Sequence, residues 1–141
     1  MTRFCYLPAI IVLMISPQSP STKKRILIVE DEKPLSHALE VMFSKEGFVV
    51  VIAENGEEAL ERLKQQEFDL VILDIIMPKK DGFDFLQEIQ KFSAPTVLIL
   101  SNLGQDEDIK KGKELGASDY LVKANNTMSK IVEKVKVMLT D

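Results

Sequence analysis

The sequence has few of the residues that form disulfides or zinc clusters, and its acidic residues outnumber its basic ones, 22 to 18. Cys5 is the only cysteine among the 141 residues, so an internal disulfide is impossible and a zinc cluster would lack thiol ligands. His37 is the only histidine, which excludes a histidine-rich metal site. Domains that bind nucleic acid directly are usually basic, whereas the formal net charge here is −4. We therefore expect no direct nucleic-acid binding.

The sequence also lacks an apolar run of the length that crosses a membrane. Residues 7–15 are apolar but interrupted by Pro8, and a membrane span takes about 20 apolar residues. Arg3 ahead of this run gives it a faint likeness to a secretory signal, so a targeting role is the alternative. The Ser- and Pro-rich residues that follow have the composition of a linker. We assign residues 1–23 to an extension or linker outside the fold, and expect a cytoplasmic protein without membrane contacts.

Residues 24–141 are predicted to form one domain of alternating strands and helices. Short apolar runs predict strands, and apolar residues spaced i, i+3, i+4 predict the helix that follows each of them. Asn55 is a good helix N-cap, and Gly47 and Gly116 are well placed to end helices. The predicted strands are residues 25–30, 48–53, 70–73, 95–101 and 118–123.

This alternation predicts an α/β fold with a parallel sheet. Uninterrupted apolar strands such as Leu70–Leu73 indicate a sheet that helices cover on both faces. Right-handed crossovers limit the possible topologies. We predict a doubly wound, five-stranded, flavodoxin-like (βα)5 fold with strand order 2-1-3-4-5.

The carboxyl ends of the predicted strands carry the side chains suited to chemistry. In such sheets, ligands bind outside these ends, where the strand order reverses. Glu30 and Asp31 end the first strand, Asp74 the third, Ser101 the fourth and Lys123 the fifth. Strands one and three are neighbours in the predicted order, so their three carboxylates converge. Such a cluster needs a compensating cation, and an all-oxygen site suits Mg²⁺.

The same residues predict an anion site, for which phosphate is the obvious candidate. Lys123 supplies a positive charge and Ser101 a hydrogen-bond donor beside the metal site. Aspartate is a carboxylate nucleophile that can form an aspartyl phosphate. Asp74 is the central carboxylate and therefore the best nucleophile. Glu32, next in sequence to the acidic pair, is expected to be solvated at the mouth of the site.

These motifs resemble the receiver domain of two-component response regulators, of the chemotaxis-regulator-like kind. The resemblance covers about residues 24–141, and the order and spacing of its motifs are very specific. The motifs are Glu30-Asp31-Glu32, Asp74–Pro78 with Asp81-Gly82, Leu100-Ser101, and Gly116–Lys123.

The resemblance implies a role for each site residue. Asp74 would be the phosphoacceptor, and a histidine kinase or phosphotransfer protein the donor. Mg²⁺ would be held by Glu30, Asp31, Asp74 and the backbone carbonyl of Ile76.

It also implies a switch. Ser101 would be the hydroxyl that follows the phosphoryl group, and Lys123 would pair with a phosphoryl oxygen. Tyr120 would be the aromatic residue whose rotamer changes with them. The fourth helix, fifth strand and fifth helix would form the surface that binds a downstream protein, which the sequence does not identify.

Three features depart from the family pattern. Ala124 follows the lysine, where the family usually has proline with a cis peptide bond, which places the conformation of this loop in question. Asn102 follows the switch hydroxyl, where a small residue is usual. Ile76 and Leu103 flank the site, where some relatives have polar residues that position the hydrolytic water. We therefore predict a long-lived phosphoryl group.

The sequence favours a stand-alone receiver that is not an enzyme but assists its own phosphorylation and dephosphorylation. One alternative is an aspartate-nucleophile phosphohydrolase, but such enzymes have a second aspartate where this chain has Ile76. Another is a flavodoxin-like flavin-binding electron carrier, which needs a Ser/Thr/Gly-rich phosphate loop where this chain has Glu30–Lys33. A receiver that acts without phosphorylation is a further alternative.

Overall fold

The structure is a computed structural model that describes residues 23–92 and 95–140. In this part of the chain five strands alternate with five α-helices, and a short 3₁₀ turn, Lys123–Asn125, precedes the last helix. The strands are β1 Arg25–Val29, β2 Val49–Ala53, β3 Leu70–Leu73, β4 Thr96–Ser101 and β5 Asp119–Val122. The helices are α1 Lys33–Lys45, α2 Gly56–Gln65, α3 Gly82–Ile89, α4 Asp106–Glu114 and α5 Met128–Leu139. The predicted extension, apart from Lys23, lies outside the described residues.

The five strands form one parallel sheet in the order β2-β1-β3-β4-β5, which confirms the predicted topology. β1 lies between β2 and β3, and Val29 pairs with both Ala53 and Leu73. β1 and β3 therefore end side by side. On the other side of β3, β4 extends further, and its last residue, Ser101, pairs with Val122 of β5.

Helices cover both faces of the sheet. Alternate strand residues such as Leu27 and Leu73 pack with residues of α2, α3 and α4 in one buried cluster. The residues between them, such as Ile28 and Ile72, pack with α1 and α5 in a second cluster. Burial on both faces explains why the strands are continuously apolar instead of alternating with polar residues.

Several strand boundaries differ from the prediction by one residue. β2 begins at Val49, because the N–H of Phe48 donates to Phe43 and closes the end of α1. β4 begins at Thr96 instead of Pro95, which has no N–H to donate to a neighbouring strand. Lys123 does not continue β5 but begins the 3₁₀ turn, in which the N–H of Asn126 donates to its carbonyl.

The predicted helix ends are confirmed. Asn55 caps α2 by accepting the N–H of Glu58 at 2.9 Å, and Thr127 caps α5 in the same way. Gly47, at φ 95°, lies in the left-handed region just after α1. Within residues 23–92 and 95–140, none of the helices has both the length and the apolar character needed to cross a membrane.

Candidate functional site

Asp74 lies directly after β3 and is buried, with 4% of its surface exposed. Its backbone N–H donates to the carbonyl of Val29 on β1, which continues the sheet pairing by one residue. Its Oδ1 accepts the N–H of Ile76 at 3.0 Å, and its Oδ2 lies 2.8 Å from Nζ of Lys123. Both carboxylate oxygens therefore have fixed positions at the end of the central strand.

Glu30 and Asp31 reach the same place from β1. One carboxylate oxygen from each of Glu30, Asp31 and Asp74 lies within 4.8 Å of the others. Glu30 is 3% exposed and accepts the N–H of Glu32 at 3.0 Å, whereas Asp31 is exposed. Burial raises the pKa of Glu30, while its hydrogen bonds with Lys123 and the Glu32 backbone oppose that rise.

This cluster fits a divalent cation. Its donors are all oxygens, and one of them is exposed to solvent, which suits a metal such as Mg²⁺ that keeps several water ligands. Ile76 lines the same cavity, of about 200 Å³, as Asp31 and Asp74. The role predicted for its backbone carbonyl stays a prediction.

Lys123 neutralises part of this negative charge. Its Nζ lies 2.8 Å from Glu30 Oε1, 2.8 Å from Asp74 Oδ2 and 2.9 Å from Glu32 Oε1. Burial alone would lower the pKa of Lys123, but its hydrogen bonds to Asp74, Glu30 and Glu32 outweigh that effect and raise the pKa above its usual range. The ammonium group therefore stays charged at neutral pH.

Ser101 and Tyr120 occupy the interior beside the site. Ser101 is completely buried at the end of β4, and its Oγ accepts the N–H of Leu103 at 3.3 Å. Tyr120 is 7% exposed, and its hydroxyl donates to the backbone carbonyl of Leu103. Burial raises the pKa of Tyr120 to about 12, with smaller contributions from Asp108 and Asp74. Leu103 therefore connects the hydroxyl of Ser101 to the ring of Tyr120.

Glu32 has a contact that the sequence did not predict. Its side chain is 61% exposed and lines the cavity beside Asp74, in agreement with its expected place at the mouth of the site, and it also contacts Lys123. The sequence feature that could have predicted this contact is the position of Glu32 as the third acidic residue of the Glu30–Glu32 run, directly after a strand end.

Asn102 and Ala124 form a second contact that was not predicted. The Oδ1 of Asn102 accepts the N–H of Ala124 at 3.1 Å, which joins the loops that follow β4 and β5. The peptide bonds of the described residues are all trans, including the one between Lys123 and Ala124. The loop after β5 is therefore a 3₁₀ turn with trans peptide bonds, and the side chain of Asn102 contacts its backbone.

A sequence model of the response regulator receiver domain matches residues 26–136. The chain belongs to this family and is a receiver domain of two-component signalling. The predicted resemblance is thus confirmed, and the fold and the carboxylate cluster are those that the family membership led us to expect.

The curated relatives are longer proteins. The chain is 48% identical over 102 residues to the probable transcriptional regulator ycf27 of Guillardia theta, covering 72% of this chain and 40% of the relative. It is 37% identical over 115 residues to the transcriptional regulatory protein CpxR of Escherichia coli (strain K12), covering 82% and 49%. The chain thus spans two fifths to one half of these proteins.

Solved receiver structures are similar over their whole length. A two-component response regulator from Clostridium difficile superposes with a TM-score of 0.79 at 26% identity, covering 83% of this chain and 96% of that one. The chemotaxis protein CheY4 of Vibrio cholerae superposes with a TM-score of 0.76 at 25% identity, covering 83% and 99%.

Proposed function

We propose that Asp74 accepts a phosphoryl group, in a Mg²⁺-dependent reaction, from a sensor histidine kinase or a phosphotransfer protein. The observation that carries this proposal is the pairing of the buried Asp74 carboxylate with Lys123, 2.8 Å away, inside a cluster of further carboxylates. An aspartate that only stabilises the turn after a strand would not require a buried lysine partner or neighbouring carboxylates. The domain is proposed not to be an enzyme acting on a separate substrate.

The residues have distinct parts in the transfer. A carboxylate oxygen of Asp74 forms a bond to phosphorus while the bond to the donor's histidine nitrogen breaks, and that nitrogen keeps the electron pair. Lys123, already beside Asp74 Oδ2, pairs with a phosphoryl oxygen. The hydroxyl of Ser101 accepts a hydrogen bond from Leu103, so its own hydrogen can be donated to the phosphoryl group.

Glu30, Asp31 and Asp74 would hold the metal, together with the Ile76 carbonyl as the resemblance implies. Mg²⁺, when bound, supplies positive charge to the phosphoryl oxygens, which is the main requirement of such a transfer. The described residues supply the rest by positioning the acceptor oxygen and the lysine.

The switch would act through Leu103. Ser101 contacts the N–H of Leu103 and Tyr120 contacts its carbonyl, so a shift of the hydroxyl toward a phosphoryl group acts on both bonds. The proposed result is a change of the surface formed by α4, β5 and α5, which would bind a downstream protein. Phosphorylation by a histidine kinase supports a cytoplasmic location, and direct nucleic-acid contact is not expected of this domain.

The mouth of the site supports a long-lived phosphoryl group. Ile76 is 57% exposed at the cavity that contains Asp74, and it also lines an adjoining cavity together with the half-buried Leu103. Neither side chain can hydrogen-bond a hydrolytic water. The half-life of the phosphorylated protein tests this point, and a value of seconds would contradict it.

The acceptor is tested by incubation with Mg²⁺ and acetyl phosphate followed by intact mass measurement. Wild type should gain one phosphoryl group, and Asp74→Ala should gain none. Asp84→Ala, which removes an exposed aspartate from α3, is the matched control and should be labelled like wild type. Equal labelling of Asp74→Ala and wild type would overturn the assignment.

A further inference from the structure

The hydrogen bond between Asn102 and Ala124 lies at the edge of the acceptor cavity. Asn102 directly follows the buried Ser101, and Ala124 directly follows Lys123. Asn102 and Lys123 both line the cavity of about 200 Å³ that contains Asp74. The bond, from the N–H of Ala124 to Oδ1 of Asn102 at 3.1 Å, therefore joins the two loops that carry the hydroxyl and the lysine.

The N–H of Ala124 needs a partner from outside its own turn. It lies in the first turn of the 3₁₀ segment Lys123–Asn125, where N–H groups have no carbonyl within the turn to accept them. The residue before the turn, Val122, provides no side-chain cap. Asn102 supplies the missing acceptor from the loop that follows β4. This match requires two sequence features at once, a side-chain acceptor at position 102 and a residue with an N–H at position 124.

The far end of the same turn is held by Asn126. Its side chain donates to the carbonyl of Val122 at 2.8 Å, and its backbone N–H donates to the carbonyl of Lys123. These two bonds fix the turn against itself. The Asn102 bond joins the turn to the loop after β4, next to the pairing of Ser101 with Val122, and so adds a second constraint on the backbone around Lys123.

We propose that Asn102 is a positioning residue for Lys123: by holding Ala124, it places the lysine ammonium group against Asp74 and the incoming phosphoryl group. The effect on phosphorylation rests on the proposed function, whereas the effect on the lysine in the metal-free protein does not. Lys123 has a long side chain with carboxylates on three sides, so a shift of its backbone changes which of them it contacts.

The rate of phosphorylation by acetyl phosphate provides the first test. Asn102→Ala should lower the rate constant about threefold to tenfold, the factor that corresponds to loss of one ordinary hydrogen bond. The midpoint for Mg²⁺ should not weaken, because the metal-binding carboxylates directly follow β1 and β3, and a less firmly held lysine competes less with the cation for Glu30 and Asp74. Asn125→Ala, an exposed asparagine in the same turn, is the matched control and should react like wild type.

A double-mutant cycle with Lys123→Ala separates positioning from a general loss of structure. If Asn102 acts through the lysine, Asn102→Ala should have no further effect on the rate in the Lys123→Ala background. The same threefold to tenfold loss in both backgrounds would overturn the proposal, as would an Mg²⁺ midpoint that weakens in parallel with the rate.

The lysine ammonium resonances of ¹⁵N-labelled, metal-free protein provide a readout that does not depend on phosphorylation. Lys123→Ala identifies the resonance of Lys123, which should shift in Asn102→Ala and stay in place in Asn125→Ala. An unchanged resonance in Asn102→Ala would overturn the proposal. A shifted resonance in a protein whose Asp74 takes up no phosphoryl group would refute the proposed function while leaving the positioning role intact.

Discussion

Among the described residues, Lys123 is the cation that contacts the most carboxylates. Its ammonium group contacts Glu30 and Asp74, which are both buried, and the exposed Glu32. Two buried carboxylates side by side repel each other, so the lysine compensates their charge in the metal-free protein. The same ammonium group is the one proposed to meet the phosphoryl oxygens, so stability and the proposed phosphorylation would depend on one side chain.

Replacement of this lysine should destabilise the metal-free protein. Lys123→Met keeps most of the side-chain volume but leaves Glu30 and Asp74 without a counter-charge, and breaking a buried pair in this way costs about 3 kcal/mol. Glu32→Gln removes a contact whose carboxylate side chain is 61% exposed, so it should change stability by no more than about 0.5 kcal/mol. Urea unfolding in EDTA measures both values. If the two variants lost similar amounts of unfolding free energy, the contacts of Lys123 with the buried Glu30 and Asp74 would not be the stabilising ones.

Tyr120 gives the protein a specific response to high pH. Its pKa is about 12 in the folded protein, against an ordinary value of 10.0, because the ring is buried. Below pH 10 the hydroxyl is protonated in both the folded and unfolded states, and its contribution to stability is complete. As the pH rises from 10 to 12, the unfolded chain loses this proton before the folded protein does, and stability falls.

A comparison with Tyr120→Phe isolates this effect from other titrations. A tenfold difference in proton affinity corresponds to about 1.4 kcal/mol, so the free energy of unfolding of wild type should fall by about 1–2 kcal/mol more than that of Tyr120→Phe between pH 10 and 12. Denaturant titrations along this range measure the difference. Parallel pH profiles for the two proteins would show that the hydroxyl is not held in its buried position.

At the scale of secondary structure, α4 contains Gly112 at the point where the helix packs against Ile99 and Tyr120. A Cβ at Gly112 would lie 2.6 Å from Ile99 Cδ1 and 3.1 Å from Tyr120 Cδ2. Glycine in a helix interior costs about 1 kcal/mol relative to alanine. The absence of a side chain at Gly112 lets α4 approach β4 and β5 closely. This close approach covers the ring of Tyr120.

Gly112→Ala should therefore be destabilising, although the same change stabilises most helices. Overpacking costs about 1–3 kcal/mol, which exceeds the gain in helix propensity. Ile99, whose Cδ1 is the closer atom, should shift first, and the ring of Tyr120 should also move by a few tenths of an ångström. Tyr6 is the only other tyrosine and the sequence has no tryptophan, so quenching of tyrosine fluorescence in a Tyr6→Phe background reports on Tyr120.

The control for this change is Lys110→Ala, at an exposed position of the same helix, which should leave both stability and quenching close to wild type. A Gly112→Ala protein that is more stable than wild type, with unchanged quenching, would show that the space above the ring is larger than the structure indicates.

The elements that the sequence predicted well are those determined by local pattern and burial. Runs such as Leu70–Leu73 predicted strands because both faces of the sheet are covered, and Asn55 and Gly47 predicted helix ends through local backbone chemistry. The 3₁₀ turn at Lys123 was not predictable in this way. One of its N–H groups, that of Ala124, donates to Asn102, which lies 22 residues away in the sequence and comes near only because β4 and β5 pair.

The site shows the same division between local and long-range signals. Asp74 was identifiable because strand order alone brings the strand ends together, whereas the contact of Glu32 with Lys123 depends on a side-chain conformation across the cavity. The conformation of the lysine loop could not be derived either, because it includes a contact between the Asn102 side chain and the backbone N–H of Ala124, which lie in two separate loops.

At the scale of the whole molecule, metal binding and folding should be coupled. The cluster of Glu30, Asp31 and Asp74 exists only when β1 and β3 are paired, so the unfolded chain has no equivalent site. A ligand that binds only the folded state stabilises it in proportion to the logarithm of its concentration, by about 2.7 kcal/mol at a hundredfold excess over the dissociation constant. Stability should therefore rise with Mg²⁺ concentration.

Asp31→Asn tests this coupling, because Asp31 is the exposed member of the cluster and its replacement disturbs the core least. In EDTA this variant should be at least as stable as wild type, since one of the clustered negative charges is gone. In Mg²⁺ it should gain little, while wild type and the control Asp84→Asn should gain about 2–3 kcal/mol at a hundredfold excess of metal over the wild-type dissociation constant. Urea unfolding with and without Mg²⁺ measures these differences. If Asp31→Asn gained as much as wild type, the stabilising metal would have to bind elsewhere, because loss of a charged ligand from so small a site cannot leave its affinity unchanged.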